Sequence, residues 1–359
     1  MDWDTAITDR LVLRSLPGAV DYLADELAAA GASGAAGVDI VGRRTDGLEI
    51  ALEGPLSALR GLHFFSEAAV DLGELQGADP TAGDVADRLE ASLARGALSV
   101  LDGAPALRFR VGDLGEARWP VRDRLVEVRG WDNSPRSWQV NLDLVEGRLL
   151  ATLGDLHLTR RQGRLERLPA STTPVLAAAL VRLAKIPPGS TVLDPFCGAA
   201  TNLLLADAMT DAGLLLGSDI RGESLGRAGA NAAYRTAAVY LVRADATRQP
   251  WPDAAVDRVV ANLPFGKRVG SHEANRTLYP SFLRELDRVL AGDGRAVLLT
   301  EDKRLLVESV QRTRGLRIVA DRTFGSGGAH PTAYVLVRSR GQARRRAGRI
   351  GLARAAVPG

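Results

Sequence analysis

The chain has 359 residues, of which 46% are hydrophobic and 25% charged, a composition typical of a globular protein with about two domains. It has no uninterrupted apolar stretch long enough to cross a bilayer, and its polar, acidic N-terminus is unlike a signal peptide, so we expect a cytoplasmic protein. The single cysteine, Cys197, excludes a disulfide framework within the chain and a cysteine-rich zinc site, and the four histidines show no metal-ligand spacing.

Charge is distributed unevenly along the chain. Residues 1–104 hold 7 Arg and 18 acids, residues 105–165 hold 11 Arg and 8 acids, and residues 166–359 hold 28 Arg or Lys and 17 acids. The acidic first segment is unsuited to coating RNA, whereas the other two could contact phosphates. The basic tail, residues 341–359, fits RNA binding and a disordered, solubilising end equally well.

Strands and helices alternate over the second half of the chain. A short β-branched run, Thr191–Leu193, ends in Asp194-Pro195 and Gly198, and an apolar helical stretch follows. Further strands are predicted at Leu214–Ile220, Ala238–Arg243, Ala255–Ala261 and Arg295–Leu299, and helices at Leu203–Met209, Gly222–Tyr234, Leu278–Leu290 and Lys303–Val310. The alternation predicts an α/β fold with a parallel sheet covered on both faces.

Four polar residues fall at or just past the ends of predicted strands: Asp194, Asp219, Asp245 and Asn262. Ligands of parallel sheets bind beyond the carboxyl ends of the strands. Any one of the aspartates could instead cap the helix that follows it. As a set they favour a nucleotide site: Asp219 could accept both ribose hydroxyls, Asp245 the adenine amino group, and Gly198 would let the backbone approach the ligand.

The turn Asn262-Leu263-Pro264-Phe265 can hold an amine. The Asn262 side-chain carbonyl and the Leu263 backbone carbonyl could accept its two N–H groups and aim the nitrogen lone pair at a methyl donor. Pro264 biases Leu263 towards an extended conformation, and Phe265 offers a face on which a flipped base could stack. An ordinary turn with Phe265 in the core is the alternative.

These motifs, DPFCG, GSDI, RADA and NLPFG, occur in the order and spacing of class I S-adenosylmethionine (SAM)-dependent methyltransferases, and the chain resembles that group. NLPFGKRVG, LYPSFLRELDRVL and GRAVLLTEDK look more narrowly like the THUMP-domain RNA guanine-N2 methyltransferases, over roughly residues 168–337. The resemblance implies a Rossmann-like methyltransferase domain with a mostly parallel sheet at residues 166–340.

The resemblance also implies roles for single residues. Catalysis would rest on Asn262, Leu263, Pro264 and Phe265. Phe265, Lys267 and Arg268 would contact RNA. SAM would be bound by Asp194, Pro195, Cys197, Gly198, Asp219, Ile220, Asp245, Ala246 and Asn262. No metal is implied, and we expect a monomer.

The first 165 residues are similar to a THUMP module. LRSLPGAVDYLADELAAAG matches its opening strand and helix, and LRFRVG with SWQVNLDLVEGRLLATLGDLHLT matches its last part. The family implies that this α+β domain recognises RNA, most simply tRNA, and that the methylated base is a guanine in or near the acceptor stem.

The chain departs from the family pattern at three positions. Ala200 stands where the cofactor loop usually has a second glycine, Leu205 where an acid is usual, and Leu263 where Pro is common. Two other functions remain open. A methyltransferase acting on a glutamine amide could use the same turn, since an amide also presents two N–H groups. A catalytically inactive RNA-binding protein is the other, and the changes at Ala200 and Leu205 favour it.

Overall fold

The structure is a computed structural model that describes residues 3–32, 34, 36–75, 80–99, 107–161, 163, 165–169, 171–265 and 272–339. The chain forms two compact units, Met1–Arg164 and Leu165–Gly359.

The first unit combines helices with one mixed sheet. Its elements are β1 (Ala6–Arg14), α1 (Val20–Ala32), β2 (Gly37–Arg44), β3 (Gly47–Pro55), β4 (Glu67–Glu74), α2 (Ala82–Ala94), β5 (Arg108–Val111), α3 (Arg118–Arg129), β6 (Asp132–Asn133), β7 (Val140–Val145), β8 (Arg148–Leu153) and α4 (Leu158–Arg161). The strand order in the described residues is β2-β3-β1-β4-β8-β7-β5-β6, and β5 runs parallel to both of its neighbours. The other pairs are antiparallel.

Alternation along β1 sets the face that this sheet buries. Ile7, Leu11 and Leu13 point into the core, while Thr8 and Arg10 are exposed. Period-two alternation of this kind is expected for a strand with one solvated face. The first unit therefore has its own hydrophobic core, consistent with the predicted α+β architecture.

The described part of the second unit forms a seven-stranded sheet with helices. Its elements are α5 (Pro174–Ala184), β9 (Thr191–Asp194), α6 (Thr201–Met209), β10 (Leu214–Asp219), α7 (Gly222–Arg235), β11 (Val239–Arg243), β12 (Val256–Asn262), α8 (His272–Val289), β13 (Leu290–Thr300), α9 (Lys303–Arg312), β14 (Leu316–Thr323) and β15 (Thr332–Arg338). The strand order is β11-β10-β9-β12-β13-β15-β14. Strands β9 to β13 are parallel, and β15 is antiparallel to both β13 and β14.

This order confirms the predicted α/β fold with a mostly parallel sheet. The chain runs outward from β9 through β10 to β11 and then returns to β12 on the other side of β9. The crevice outside the strand ends at such a reversal is the usual ligand site of open α/β sheets. Asp194, Asp219 and Asn262 are the last residues of β9, β10 and β12, and Asp245 lies two residues beyond β11.

Candidate functional site

The loop between β9 and α6 is tied to the end of β10. The Cys197 N–H donates to the Ser218 carbonyl at 2.9 Å, and the Gly198 N–H donates to Asp219 Oδ2 at 3.1 Å. The loop and the carboxylate that sequence reasoning assigned to one cofactor therefore contact each other directly.

Two residues of this loop have left-handed backbone conformations. Gly198 has φ +53° and Ala200 has φ +65°. A residue with a Cβ pays roughly 1–2 kcal/mol for this conformation, whereas glycine adopts it freely. The structure thus explains why glycine is usual at position 200. It also shows that Ala200 keeps the loop conformation in spite of its methyl group, which is fully buried.

Asp194 fixes the loop to the first turn of α6. Its carboxylate is buried and accepts hydrogen bonds from the Phe196 N–H at 3.0 Å and from Asn202 Nδ2 at 2.9 Å. Burial, together with the nearby Asp219 carboxylate, raises the pKa of Asp194 to about 7. Sequence reasoning missed Asn202, although a polar residue within the apolar run TNLLLA was a signal that could have revealed it.

Leu205, at the position where the family usually has an acid, is part of the hydrophobic core. Leu205 is buried in α6, one turn beyond Asn202. The buried polar group of this helix is therefore the Asn202 amide, which contacts Asp194.

The end of β10 presents a carboxylate next to an apolar side chain. Asp219 Oδ1 accepts from the Arg221 N–H at 2.9 Å, which sets the orientation of the carboxylate. Ile220 is 61% exposed, unusual for a large apolar side chain, and its carbonyl accepts from Arg243 Nε at 3.0 Å. The Asp219 carboxylate could bind hydroxyl groups, and the Ile220 side chain could pack against the face of a base.

The segment after β11 lies against the same strand end. The Ala244 N–H donates to the Asp219 carbonyl at 3.2 Å. Asp245 Oδ1 accepts from the Thr247 N–H and hydroxyl, both at 2.8 Å, while the residue stays exposed and Ala246 is buried. The segment that carries the Asp245 carboxylate is thus bonded to the end of β10, and the turn at Thr247 fixes the orientation of this carboxylate.

Asn262, the last residue of β12, has a side-chain oxygen that accepts no hydrogen bond from the described residues. Its Nδ2 donates to Thr172 Oγ1 at 3.0 Å, so the amide is oriented by the segment that precedes α5. Its Oδ1 is buried and has no hydrogen-bond partner among the described residues. Because an unsatisfied buried acceptor costs about 1–3 kcal/mol, this oxygen marks a place where an incoming N–H group would be stabilised.

The rest of the turn is held from two sides. The Leu263 N–H donates to the Leu299 carbonyl at 3.0 Å, which continues the pairing of β12 with β13. The Pro264 carbonyl accepts from Asn275 Nδ2 at 2.7 Å and from Tyr279 Oη at 2.9 Å, both on α8. Phe265, which follows, is half-buried.

We call Asn275, Tyr279 and Thr300 the turn clamp. Tyr279 Oη lies 2.8 Å from Thr300 Oγ1, which itself accepts from the Asp302 N–H at 2.9 Å. All three clamp side chains are buried, and burial raises the pKa of the Tyr279 hydroxyl above its ordinary value, so that it remains a proton donor. Sequence reasoning missed the clamp, because Tyr279 reads as one more core residue of an amphipathic helix.

Two expectations about single residues concern the edges of the site. Cys197 is buried, and burial raises the pKa of its thiol, so it lines the loop as a neutral group and is unsuited to act as a nucleophile. Lys267 and Arg268 lie outside the described residues.

In the described ranges, no group of three or more His, Cys, Asp or Glu side chains could hold a metal ion. Across the same residues, no helix combines the length and apolar character that a membrane span requires.

Comparisons with known proteins identify the fold and the family. Residues 161–331 match the UPF0020 family model, described as RMKL-like, methyltransferase domain. Over 92% of its length the chain superposes on TrmN from Thermus thermophilus with a TM-score of 0.67 and 28% identity, covering 99% of that chain. A possible methylase from Clostridium difficile 630 shares the fold, with a TM-score of 0.65 at 15% identity over 93% of this chain and 99% of that one.

Sequence relatives of the chain carry functional names. The chain is 34% identical over 264 residues to the tRNA (guanine(6)-N2)-methyltransferase of Thermus thermophilus, covering 68% of this chain and 77% of the relative. It is 29% identical over 186 residues to the bovine tRNA (guanine(6)-N(2))-methyltransferase THUMP3, covering 48% of this chain and 37% of that longer protein. The predicted methyltransferase fold and enzyme class are thereby confirmed. The chain belongs to the family of guanine-N2 methyltransferases that includes the Thermus thermophilus enzyme.

Proposed function

We propose that the chain methylates the N2 amine of a guanine in tRNA, in or near the acceptor stem, with SAM as the methyl donor. The observation that carries the proposal is Asn262 Oδ1, a buried acceptor at a strand end that has no donor among the described residues. The names of the relatives supply the substrate class, since both act on guanine N2 of tRNA.

The described residues fit SAM. Asp219 offers a carboxylate for the ribose hydroxyls, Ile220 an exposed apolar surface for adenine, and Asp245 an acceptor for the adenine amino group. The residues that we assign to the site are Asp194, Pro195, Cys197, Gly198, Asp219, Ile220, Asp245, Ala246 and Asn262. Asp194 would act by holding the loop, because its side chain is almost fully buried and accepts hydrogen bonds from the loop and from α6. When bound, SAM supplies a methyl group on a positively charged sulfur.

The turn would position the amine. Asn262 Oδ1 and the Leu263 carbonyl each accept one N–H of the guanine N2 group, which leaves the nitrogen lone pair to face the methyl group. Phe265 stacks on the base once the base has left its helix. Little acid–base chemistry is required of the protein, since the amine can lose its proton after the transfer.

The first unit would bind the RNA. We assign residues 1–165 to a THUMP-like recognition domain, residues 166–340 to the methyltransferase domain and residues 341–359 to a basic tail. Lys267 and Arg268, next to the turn in sequence, would contact phosphates.

The test uses purified full-length protein, tritiated SAM and total small RNA from a strain that lacks the gene. We expect label in N2-methylguanosine after digestion and chromatography. Asn262→Ala should abolish the label, and the matched control Asn133→Ala, on β6 of the first unit, should retain it.

Two other outcomes would redirect the proposal. SAM binding with no labelled RNA, but with label in the glutamine amide of an added protein fraction, would show the protein methyltransferase alternative to be right. RNA binding without measurable SAM affinity would contradict the proposal and support the inactive RNA-binding alternative.

A further inference from the structure

An exposed tryptophan lies between two arginines on the first unit. Trp119, in the first turn of α3, is 55% exposed. The guanidinium carbons of Arg118 and Arg122 lie 4.9 and 4.8 Å from the centroid of its ring. The exposed indole offers a large aromatic face to a ligand, and the two guanidinium groups make its surroundings positive.

The helix itself does not need this side chain. α3 is anchored to its unit by Val121 and Leu125, which are buried on the opposite face. Trp119 lies on the outer face and contributes little to that anchoring. Its exposure therefore points to binding and away from core packing.

The charge around the ring is positive. Among the described residues, Arg118 and Arg124 have no carboxylate partner, whereas Arg122 donates to Asp123 Oδ1 at 2.8 Å and Arg129 pairs with Glu90. Residues 105–165 have 11 Arg against 8 acids, in contrast to the acidic segment before them. Cations within about 5 Å of an aromatic face create a surface that attracts a base and its phosphate together.

We propose that Trp119 is a stacking platform for an unpaired nucleotide of the RNA substrate, with Arg118 and Arg122 turning to the flanking phosphates. The indole stacks on the base, which any of the four bases can satisfy, and the arginines supply contacts that carry no sequence information. The assignment of the ligand as RNA rests on the proposed function. The platform belongs to the first unit, whereas the residues assigned to methyl transfer belong to the second.

A protein partner is the competing occupant. Val126, two turns further along the same face, is 45% exposed and would extend an apolar patch. Between Trp119 and Val126, however, the face carries the charged pair Arg122 and Asp123, and a charged centre is unfavourable for the core of a protein interface. The two guanidinium groups at the ring favour nucleic acid.

The experiment compares binding of two RNAs to the full-length protein by fluorescence anisotropy: a duplex with a single-stranded 3′ overhang, and the same duplex with blunt ends. We expect Trp119→Ala to weaken binding of the overhang RNA by about ten- to a hundredfold and that of the blunt RNA by less than threefold. Trp119→Phe, which keeps an aromatic face, should retain affinity within about threefold. Arg118→Ala should lower the slope of log affinity against log salt by about one for both RNAs.

The matched control is Tyr234→Ala, which removes an aromatic ring that is 57% exposed on α7 and should change neither affinity. Equal binding of the overhang RNA by Trp119→Ala and the parent overturns the inference, as does an equal loss for both RNAs. If Val126→Ala weakens RNA binding as much as Trp119→Ala, this face of α3 binds through general apolar contact and not through stacking on Trp119, and the inference is again wrong. Failure of this inference leaves N2-methylguanosine formation by the parent protein intact, so it is distinguishable from failure of the proposed function.

Discussion

The hydroxyl of Tyr279 donates a hydrogen bond of 2.9 Å to the carbonyl of Pro264, so α8 fixes the backbone of the turn that holds the amine. The bond belongs to a directed chain, in which the Asp302 N–H donates to Thr300 and the Thr300 hydroxyl to Tyr279. Each of these three donors therefore makes one hydrogen bond in the chain. A turn held in this way keeps its carbonyls in place before substrate arrives, which is what positioning catalysis requires.

Tyr279→Phe should lower kcat about fivefold with an unchanged dissociation constant for SAM. The reason is that the ring still fills the core while the Pro264 carbonyl loses one of its two donors, and one net hydrogen bond is worth about 1 kcal/mol. Steady-state methylation and calorimetric titration of SAM measure the two quantities. Tyr234→Phe, at an exposed position, is the control and should leave both unchanged. A parallel loss of SAM affinity would show that Tyr279 supports the whole domain and not the turn.

Thr172→Val should lower kcat about tenfold, and Asn262→Ala should lower it by about a hundredfold or more. Valine keeps the shape of threonine but removes the acceptor that orients the Asn262 amide, whereas Asn262→Ala removes the oxygen that would bind the amine. Rapid-quench single-turnover assays report the chemical step directly.

The control for Thr172→Val is the same substitution at the neighbouring residue, Thr173. Thr173 Oγ1 is buried and has no partner among the described residues, so Thr173→Val should leave the rate unchanged. If the two valine variants behave alike, the bond between Thr172 and Asn262 has no part in positioning.

The features that depend on local periodicity could be predicted from the sequence. Strands β9 to β13 and the helices after them follow from short apolar runs alternating with amphipathic stretches. Most bounds agree with the predicted ones within two residues, but α8 begins six residues and β13 five residues earlier than predicted. The polar residues at strand ends could be placed because parallel strands bring their carboxyl ends to one edge. Asp219 and Asn262 therefore lie at the ends of β10 and β12, as the pattern predicted.

Features that depend on distant partners could not be predicted. The bond from Asn262 to Thr172 spans 90 positions, and the clamp on Pro264 comes from a helix whose inner face reads as ordinary core. β15 was missed as well. Its residues TAYVLVR are buried on both faces, because the strand is inserted between β13 and β14, and a central strand shows no alternation.

Ala200→Gly should raise the free energy of unfolding of the second unit by about 0.5–1 kcal/mol and tighten SAM binding. Glycine relieves the left-handed strain at φ +65° but loses part of the gain to the greater freedom of the unfolded chain. Urea unfolding and calorimetry measure the two effects. Lys185→Gly, at φ +48° at the end of α5 and exposed, should give a similar stabilisation with no change in SAM affinity. Destabilisation by Ala200→Gly would mean that the buried methyl group contributes more packing than its conformation costs.

The pH dependence of stability should report the burial of Asp194. The pKa of its carboxyl is about 7 in the folded chain against an ordinary value of 3.8, so between these two pH values the folded state holds a proton that the unfolded state has lost. By linkage, the free energy of unfolding falls as pH rises from about 4 to about 7, by an amount on the order of a few kcal/mol, and levels off above that range.

Asp194→Asn removes this titration. The stability of the variant relative to the parent should therefore rise through the same window and become constant above about pH 7. Asp9→Asn is the matched control in the first unit, because burial raises the pKa of Asp9 to about 6, and its difference curve should level off about one pH unit earlier. Hydrogen exchange of peptides from each unit, measured between pH 4 and 8, separates the two. Parallel curves for the parent and Asp194→Asn over this range would mean that the carboxyl is charged throughout, and that the donors from Asn202 and Phe196 outweigh its burial.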